Sequence, residues 1–214
     1  AEDLVPLRNG TGVRVVREST ESPSPLYDVY PYRPRVEGLF ARIERWVAKA
    51  DGDTHWRVIT KDDVTSWYGR TAQARVANPE DERLVYEWKL EETRDDKGNI
   101  VQYVYKAEDT AISPVGLTAE RNRAPSSGSY LKRIRYGNAV PGVAADWLFE
   151  VVLDYGEHGS NDGGTGEVVV TPAEDRSWAL RADAFSWFRA GFDIRVRRRC
   201  ARVLVFHHIS ELGT

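Results

Sequence analysis

The stretch Leu84–Glu108, LVYEWKLEETRDDKGNIVQYVYKAE, constrains the fold more than any other part of the chain. Leu84, Tyr86, Trp88 and Leu90 alternate with Val85, Glu87, Lys89 and Glu91, the period of two that a half-buried strand requires. Val101, Tyr103 and Tyr105 alternate in the same way with Gln102, Val104 and Lys106, and this arm is rich in the β-branched and aromatic residues that pack on a pleated surface. Between the arms, Asp95-Asp96-Lys97-Gly98-Asn99 supplies turn chemistry: Asp side chains cap local amides, while Gly and Asn accept positive φ. The stretch predicts two antiparallel strands folded back over a polar turn.

Other segments repeat the theme. Asp3–Arg8 and Gly12–Arg17 are strand-like around Asn9-Gly10-Thr11, a hairpin signal. Ser22-Pro23-Ser24-Pro25 breaks the pattern, because proline removes a donor and fixes φ. Tyr27–Arg35 is extended, and Pro31 and Pro34 keep it at a sheet edge or outside a sheet. Gly38–Ala50 fits a helix through Phe40, Ile43, Trp46 and Val47 but also fits a strand, and the turn Asp51-Gly52-Asp53 that follows favours the strand. Thr54–Thr60 and Val64–Tyr68 are strands around Asp62-Asp63, and Gly69–Asp81 reads as a loop. Asp109–Ser129, with Pro114, Gly116, Pro125 and Gly128, reads as an exposed excursion. Tyr130–Tyr136 and Trp147–Tyr155 are strands, the second apolar enough to be buried on both faces. His158–Gly166 reads as a flexible loop and Ser177–Ser186 as irregular; Phe188–His208 is an arginine-rich extended run. The expected fold is all-β: a mostly antiparallel sheet of long hairpins with irregular loops, with no repeat of fixed length.

Composition narrows the function. The 214 residues are enough to bury a real core. Thirty Lys+Arg against 33 Asp+Glu give a net charge of −3, which offers no electrostatic case for nucleic acid or an anionic membrane. One cysteine, Cys200, excludes an intrachain disulfide. No apolar run approaches the roughly 18 residues of a membrane-spanning helix, and no signal peptide opens the chain. Methionine is absent even at position 1 and Glu211-Leu212-Gly213-Thr214 offers no stop, so the chain is expected to be a processed product or an excised piece.

Several long stretches together carry a family resemblance. They are YRPRVEGLFARIERW (Tyr32–Trp46), HWRVITKDDVTSWYGRTAQARVANPEDERLVYEW (His55–Trp88), DDKGNIVQYVYKAED (Asp95–Asp109), AERNRAPSSGSYLKRIRYGN (Ala119–Asn138), WLFEVVLDYGEH (Trp147–His158) and FRAGFDIRVRRRCARVLVFHH (Phe188–His208). In these the chain resembles the SpvB-type N-terminal region of Tc insecticidal toxin B subunits and of the Salmonella plasmid virulence protein SpvB. The resemblance runs through nearly all of residues 1–214 and implies a partial SpvB-type domain, lacking the Gly-rich segment that normally precedes it and everything downstream. It also implies a structural role. In Tc toxins the B subunit and an Rhs-repeat C subunit form a hollow β-sheet cocoon around a cytotoxic fragment, docked on a pore-forming A subunit. The expected partners are therefore an Rhs-repeat toxin C subunit and a pore-forming toxin A subunit, with no nucleic acid and no direct membrane insertion. The implied location is extracellular after secretion, with a stage in the bacterial cytoplasm before release. The turn Asp95–Asn99 is similar to the D-x-x-G-N turn of Rhs repeats, with Arg94 where those repeats carry Tyr. In SpvB the ADP-ribosyltransferase activity belongs to a separate C-terminal domain, which has no counterpart here.

Candidate chemistry is sparse, and no catalytic, cofactor-binding or metal-binding residue is assigned. His207-His208 on one strand point to opposite faces and cannot chelate one ion. Asp51-Gly52-Asp53 lacks the alternating ligands and distal Glu of a calcium loop. Asn161–Gly166 lacks the helix and Lys-Ser/Thr of a phosphate cradle. Glu91-Glu92 is not the E-x-E of an arginine-specific ADP-ribosyltransferase, and Ser19-Thr20 lies in no S-T-S strand. Glu157 and His158, with Asp154 nearby, are the best acid/base candidates, although a solvated strand rim is the simpler reading. Arg195, Arg197, Arg198, Arg199 and Arg202 read as the polar face of a strand paired with carboxylates such as Asp193. Two alternatives stay open: the leading region of a single-chain ADP-ribosylating virulence toxin, and a carbohydrate-binding β domain using exposed Trp67, Tyr68, Trp178 and Trp187.

Overall fold

The computed structural model describes residues 4–19, 26–38, 40–109, 127–161 and 169–209. Its strands are β1 (Leu4–Pro6), β2 (Arg17–Glu18), β3 (Tyr27–Pro34), β4 (Arg42–Ala48), β5 (Thr54–Ile59), β6 (Thr65–Tyr68), β7 (Arg75–Asn78), β8 (Asp81–Trp88) and β9 (Leu90–Arg94). They continue with β10 (Ile100–Ala107), β11 (Ser129–Asn138), β12 (Trp147–Asp154), β13 (Ser160–Asn161), β14 (Val169–Val170), β15 (Phe185–Trp187), β16 (Ile194–Val196) and β17 (Arg202–His207). One 11-stranded antiparallel sheet runs β1-β3-β4-β5-β6-β9-β10-β11-β12-β17, with β2 beside β1 on β3. Three two-stranded pairs, β7-β8, β13-β14 and β15-β16, accompany it. The all-β, antiparallel expectation holds, and Gly38–Ala50 does contain a strand.

The two faces of the sheet differ in chemistry, and register shows how. Successive cross-strand partners Pro31, Glu44, Arg57, Trp67, Glu92, Gln102, Arg135, Glu150 and Phe206 form one polar line across nine strands. Directly opposed residues share a face, so a line of Tyr32, Ile43, Val58, Ser66, Thr93, Val101, Tyr136, Phe149 and His207 lies on the opposite, mostly apolar face. The carboxylates of the polar line are buried, and each sits between cations. Glu44 accepts from Arg57 Nε at 2.9 Å and the Trp46 indole at 3.1 Å. Glu92 accepts from Arg70 at 2.8 Å and from Arg94. Glu150 meets Arg135 Nε at 2.8 Å and Arg133 at 3.1 Å. Burial pushes the Glu150 carboxyl up, but the hydrogen bond from Arg135 and the charge of Arg133 outweigh it and hold it below its ordinary value.

Five sequence expectations need correction. The arms of Leu84–Glu108 are not one hairpin: β9 pairs with β10, whereas β8 folds back on β7. The chain changes sheets at Lys89, whose amide donates to Ala74 and whose carbonyl accepts from Gly69, so the alternation of Leu84 and Tyr86 covers no core and both remain exposed. Gly69–Asp81 is accordingly not a loop but a 3-10 turn, Ala72–Ala74, followed by β7. Strand β3 is interior, paired on both sides, despite its prolines. Leu7 donates to the Pro31 carbonyl, and a residue's N and C=O point to the same side of a strand. The missing Pro31 donor thus faces the gap between β1 and β2, not β4. Strand β12 buries one face, at Glu150, Val152 and Asp154, rather than both. In His158–Gly166, the described part is not a loose loop, since Ser160-Asn161 pairs with Val169-Val170. The excursion after Asp109, the Ser22–Pro25 segment and the C-terminal four residues lie outside the described residues, apart from Asp109 and Ser127–Ser129.

The Asp95–Asn99 turn forms as expected, with Asp95 Oδ1 accepting the amides of Lys97 at 3.0 Å and Asn99 at 2.8 Å. Gly98 sits at φ +83, and a Cβ there would lie 2.7 Å from the Gly142 amide nitrogen that its own carbonyl binds. Asn138 locks the two neighbouring turns together, donating to the Gly98 carbonyl at 3.0 Å and accepting from Ile100 N at 2.9 Å.

His55 stands on the polar face between Trp46, stacked at 5.7 Å, and Tyr27, edge-on at 5.2 Å. Burial, and then the positive charges of Arg70 and Arg75, lower its pKa to about 4. The unfolded chain therefore takes up this proton more readily than the folded one, and stability falls as pH drops from about 6.5 towards 4. Unfolding in urea at pH 7 and pH 5 is expected to show a loss of about 2 kcal/mol from this group. His55→Phe keeps a ring in the stack and should remove that share of the pH dependence. An unchanged dependence in the variant would contradict the assignment.

Candidate functional site

The acid/base candidates of the sequence do converge, but inside the protein rather than on a rim. The β12 strand ends at Asp154, and the turn through Gly156 (φ +106) folds Glu157 and His158 back beneath it. Glu157 is 0% and His158 2% exposed, so the solvated-rim reading is corrected. What brings them a counter-charge is a β-bulge. Val104 pairs with Arg133 and Tyr105 with Leu131, leaving Lys132 as the extra residue on β11. A regular strand would point Lys132 to the apolar face; the bulge turns it onto the polar one. Its Nζ lies 2.7 Å from Glu157 Oε2, 3.0 Å from His158 Nε2 and 3.3 Å from the Leu153 carbonyl.

The remaining contacts complete a joint between distant segments. Lys106 from β10 donates to Glu157 Oε1 at 2.7 Å and to Glu174 at 2.8 Å. Burial pushes the Glu157 carboxyl up, yet hydrogen bonds from Lys106 and Lys132 outweigh it and hold it below its ordinary value. Asp154 accepts the Gly156 and His158 amides at 2.7 and 3.2 Å and Arg202 Nε at 2.6 Å; these bonds, led by Arg202, overcome its burial and keep its carboxyl low as well. His158 Nδ1 lies 3.1 Å from the Thr171 carbonyl. A lysine ammonium can only donate, so Nε2 accepts and Nδ1 carries the hydrogen donated to Thr171. The Glu157 carbonyl takes the amides of Asp175 and Arg176, both at 3.0 Å.

Next to this joint, Trp178 is buried under Lys106, whose Nζ stands 4.6 Å from its ring centroid, and Arg198, at 4.2 Å. Its indole donates to Asp109 at 2.6 Å, and Arg198 donates to Glu108 at 2.8 Å and to the Trp178 carbonyl at 2.6 Å. Tyr130 and Tyr155 meet the same ring edge-on at 5.4 and 6.1 Å.

Asp154, Glu157 and His158 could hold a metal by ligand type and proximity. The residues do not fit one, because the Lys132 ammonium stands where a cation shared by Glu157 and His158 would bind, and Arg202 occupies Asp154. The other candidates stay apart. His207 packs against Phe149 while His208 approaches Glu150 at 3.7 Å. Asp51 caps Asp53 N at 2.9 Å as a plain turn, and Asp53 binds Arg75 at 2.8 Å. Glu91 accepts the amides of Arg70 and Thr71 at 2.7 and 3.1 Å. Most of the Gly-rich Asn161–Gly166 loop, and Thr20 of the Ser19-Thr20 pair, lie outside the described residues. Of the aromatics expected to be exposed, Trp178 is not. Trp67 is flanked by the guanidiniums of Arg70 and Arg94 at 5.2 and 5.6 Å, and Trp187, beside Phe185, is 39% exposed. Arg198 and Arg202 are paired as expected of the arginine run, but with carboxylates far away in sequence, Glu108, Asp109 and Asp154. Sequence reasoning missed Lys132, Lys106 and Glu174; a lysine among the apolar positions of YLKRIRY was the available signal.

Replacing Glu157 by Gln leaves the Lys132 ammonium buried without its anion and should cost roughly 3 kcal/mol in denaturant unfolding. The pair Lys132→Met with Glu157→Leu should cost less than the sum of the single variants. Because Glu157 and Asp154 have lowered folded pKa values, their stabilisation is full above the ordinary carboxylate range near ~4 and is lost as pH falls below it. Additive single variants would contradict a coupled joint.

The comparisons with known proteins follow the same architecture. The family model described as Salmonella virulence plasmid 65kDa B protein matches residues 1–209. Mono(ADP-ribosyl)transferase SpvB of Salmonella typhimurium (strain 14028s / SGSC 2262) is 36% identical over 199 residues, 87% of this chain and 33% of that protein. The chain thus spans about a third of the length of the curated relatives it matches. The N-terminal domain of effector protein SpvB from Salmonella typhimurium strain LT2 superimposes with a TM-score of 0.87 at 33% identity, over 100% of this chain and 70% of that one. The crystal structure of TcdB2-TccC3-Cdc42 gives 0.84 at 29% identity over 99% of this chain and 10% of that one. The Photorhabdus luminescens Tc holotoxin pore gives 0.80 at 29% identity, again over 10% of its chain. The match to SpvB falls on its N-terminal domain and not on its C-terminal transferase part. By fold, by sequence and by the extent of the match, the chain belongs to the SpvB family and carries its N-terminal, non-enzymatic β region.

Proposed function

We propose that this chain is a non-catalytic wall segment of a Tc-type toxin B subunit. With an Rhs-repeat C subunit it would enclose a cytotoxic cargo, for delivery through a pore-forming A subunit after secretion from the bacterium. The observation that carries the reading is architectural. The same sheet recurs as a tenth of the chain in TcdB2-TccC3 and in the Tc holotoxin pore. A single sheet of 11 strands with a charge-paired polar face suits a wall, because parting it requires unpairing whole ladders and separating buried ion pairs at once. Among the described residues no helix is long and apolar enough to cross a membrane.

A second reading rests on the 36% identity to SpvB: the leading region of an ADP-ribosylating virulence toxin whose enzyme lies elsewhere in the polypeptide. The carbohydrate-binding reading loses Trp178, which is consumed by packing. Co-expression with an Rhs-repeat C subunit is expected to yield a complex that survives size-exclusion chromatography and shields the enclosed fragment from protease. No complex, together with NAD-dependent modification of actin by the parent protein that vanishes on C-terminal truncation, would favour the second reading.

A further inference from the structure

The hairpin β7-β8 is an insertion in the large sheet. It leaves the sheet after Tyr68 and returns at Leu90, two residues that face each other across β6 and β9. The Gly69 amide donates to the Lys89 carbonyl at 2.9 Å, so the ladder closes across the base of the insertion. The hairpin can therefore move without parting any strands of the sheet. Two fastenings hold it. On one side Lys89 donates to the Ser129 carbonyl, and the Ser129 hydroxyl to the Gln73 carbonyl. On the other, Trp88 donates to the Thr54 carbonyl at 3.0 Å and meets Trp56 edge-on at 6.1 Å. Arg75 completes this second side as a staple: Nη2 donates to Asp53 at 2.8 Å and Nε to the Gly69 carbonyl at 2.6 Å.

His55 stands at this second fastening. Carrying the β5-β6 register one residue past the opposed pair Trp56 and Tyr68 places it opposite Gly69, whose carbonyl Arg75 binds. Arg57 on its own strand and Arg70 and Arg75 from the insertion surround it with positive charge, and Asp53 is the carboxylate beside it. The rings of Tyr27 and Trp46 close it in. The nearby carboxylates are already engaged: Asp53 with Arg75, Glu44 with Arg57, Glu92 with Arg70, and Asp51 with the Asp53 amide. A proton on His55 thus adds a cation that has no uncommitted counter-charge. We propose that protonation of His55 releases the Arg75 staple, making β7-β8 a flap that one proton loosens while the large sheet stays paired. Opening takes Arg75 away, returns Asp53 as a counter-ion for the imidazolium and lets water reach the ring. The closed form holds the His55 pKa at about 4 and the open form at its ordinary 6.5. Going from pH 7 to pH 5 therefore raises the open population about twentyfold. Asp53 stays charged over that range, because the hydrogen bond from Arg75 holds its carboxyl below the ordinary value. The loss of stability expected on acidification is then local first and global only later.

The test is amide exchange of the whole chain, read by mass spectrometry from about pH 7 to about pH 4 and corrected for the intrinsic exchange rate. Peptides covering Arg75–Trp88 are expected to lose protection about twentyfold between pH 7 and pH 5, at close to one decade per pH unit near pH 5. Peptides covering β10 and β11 should keep theirs. His55→Phe should hold the flap's protection level over the same range, and Arg75→Met, which lacks the staple, should show a loosened flap already at pH 7. If the phenylalanine variant fails to fold, the slope in the unaltered chain carries the test. Equal losses in the flap and in β10-β11 overturn the proposal, and so does a flap that loosens only below about pH 4.5, as a carboxylate would make it. A pH-dependent loss that survives His55→Phe, or a flap that stays tight in Arg75→Met, overturns it as well.

Discussion

The structure depends on burying carboxylates on the working face of a β-sheet without leaving any of them alone. Glu44, Glu92, Glu150 and Glu157 are each buried, and each is met by at least two cationic side chains, most of them from other strands or loops. An isolated ionised carboxyl at such depth would cost several kcal/mol. Its cations are therefore part of the fold and not ornaments on it. Such pairs contribute little net stability over an apolar core of the same volume. Their effect is on alignment. Apolar alternation decides which face of a strand looks inward, but it tolerates a slip of two residues, which keeps every side chain on its own face. Glu44 does not tolerate that slip, because two residues either way place it opposite His55 or Ile59 in place of Arg57.

The Glu157 joint applies the same chemistry to tertiary structure. Strands β10, β11 and β12, the turn after β12, the segment through Glu174 and the start of β17 all send a group to it. These segments are far apart in sequence, so the joint can form only after the sheet exists, and it then fastens the irregular C-terminal part onto the polar face. One bulge residue makes this possible. Without the extra residue at Lys132, the ammonium would face the apolar side and Glu157 would keep only Lys106.

Much of this was legible from residue patterns, and the failures have physical causes. Strands β4, β5, β6, β10, β11, β12 and β17 follow from alternation and turn residues, since both signals are local. The division of Leu84–Glu108 was hidden because both arms alternate equally well. Nothing local marks Lys89 as the point where the chain leaves one sheet for another, which is decided by the amide and carbonyl of Lys89 reaching Ala74 and Gly69. Pro31 was misread because proline forbids a partner on one side only, and the gap between two short strands satisfies that condition. Asp154, Glu157 and His158 were picked out by residue type, but their burial and their lysine were not, because the one local sign, a lysine at an apolar position of YLKRIRY, does not say that a bulge turns it onto the polar face.

The joint also shows how close a structural lock stands to a catalytic one. A carboxylate, an imidazole and a lysine within hydrogen-bonding distance is the inventory of an acid/base site. Function depends on what is left over: a general base needs a lone pair aimed at a place substrate can reach. Here the imidazole has Nε2 taken by Lys132 and Nδ1 by Thr171, and both oxygens of Glu157 are held by lysines. Each group has spent its capacity on another part of the same chain, and burial closes the approach. The same electrostatics that could activate a nucleophile in an open cleft serve in this sheet to hold one segment against another.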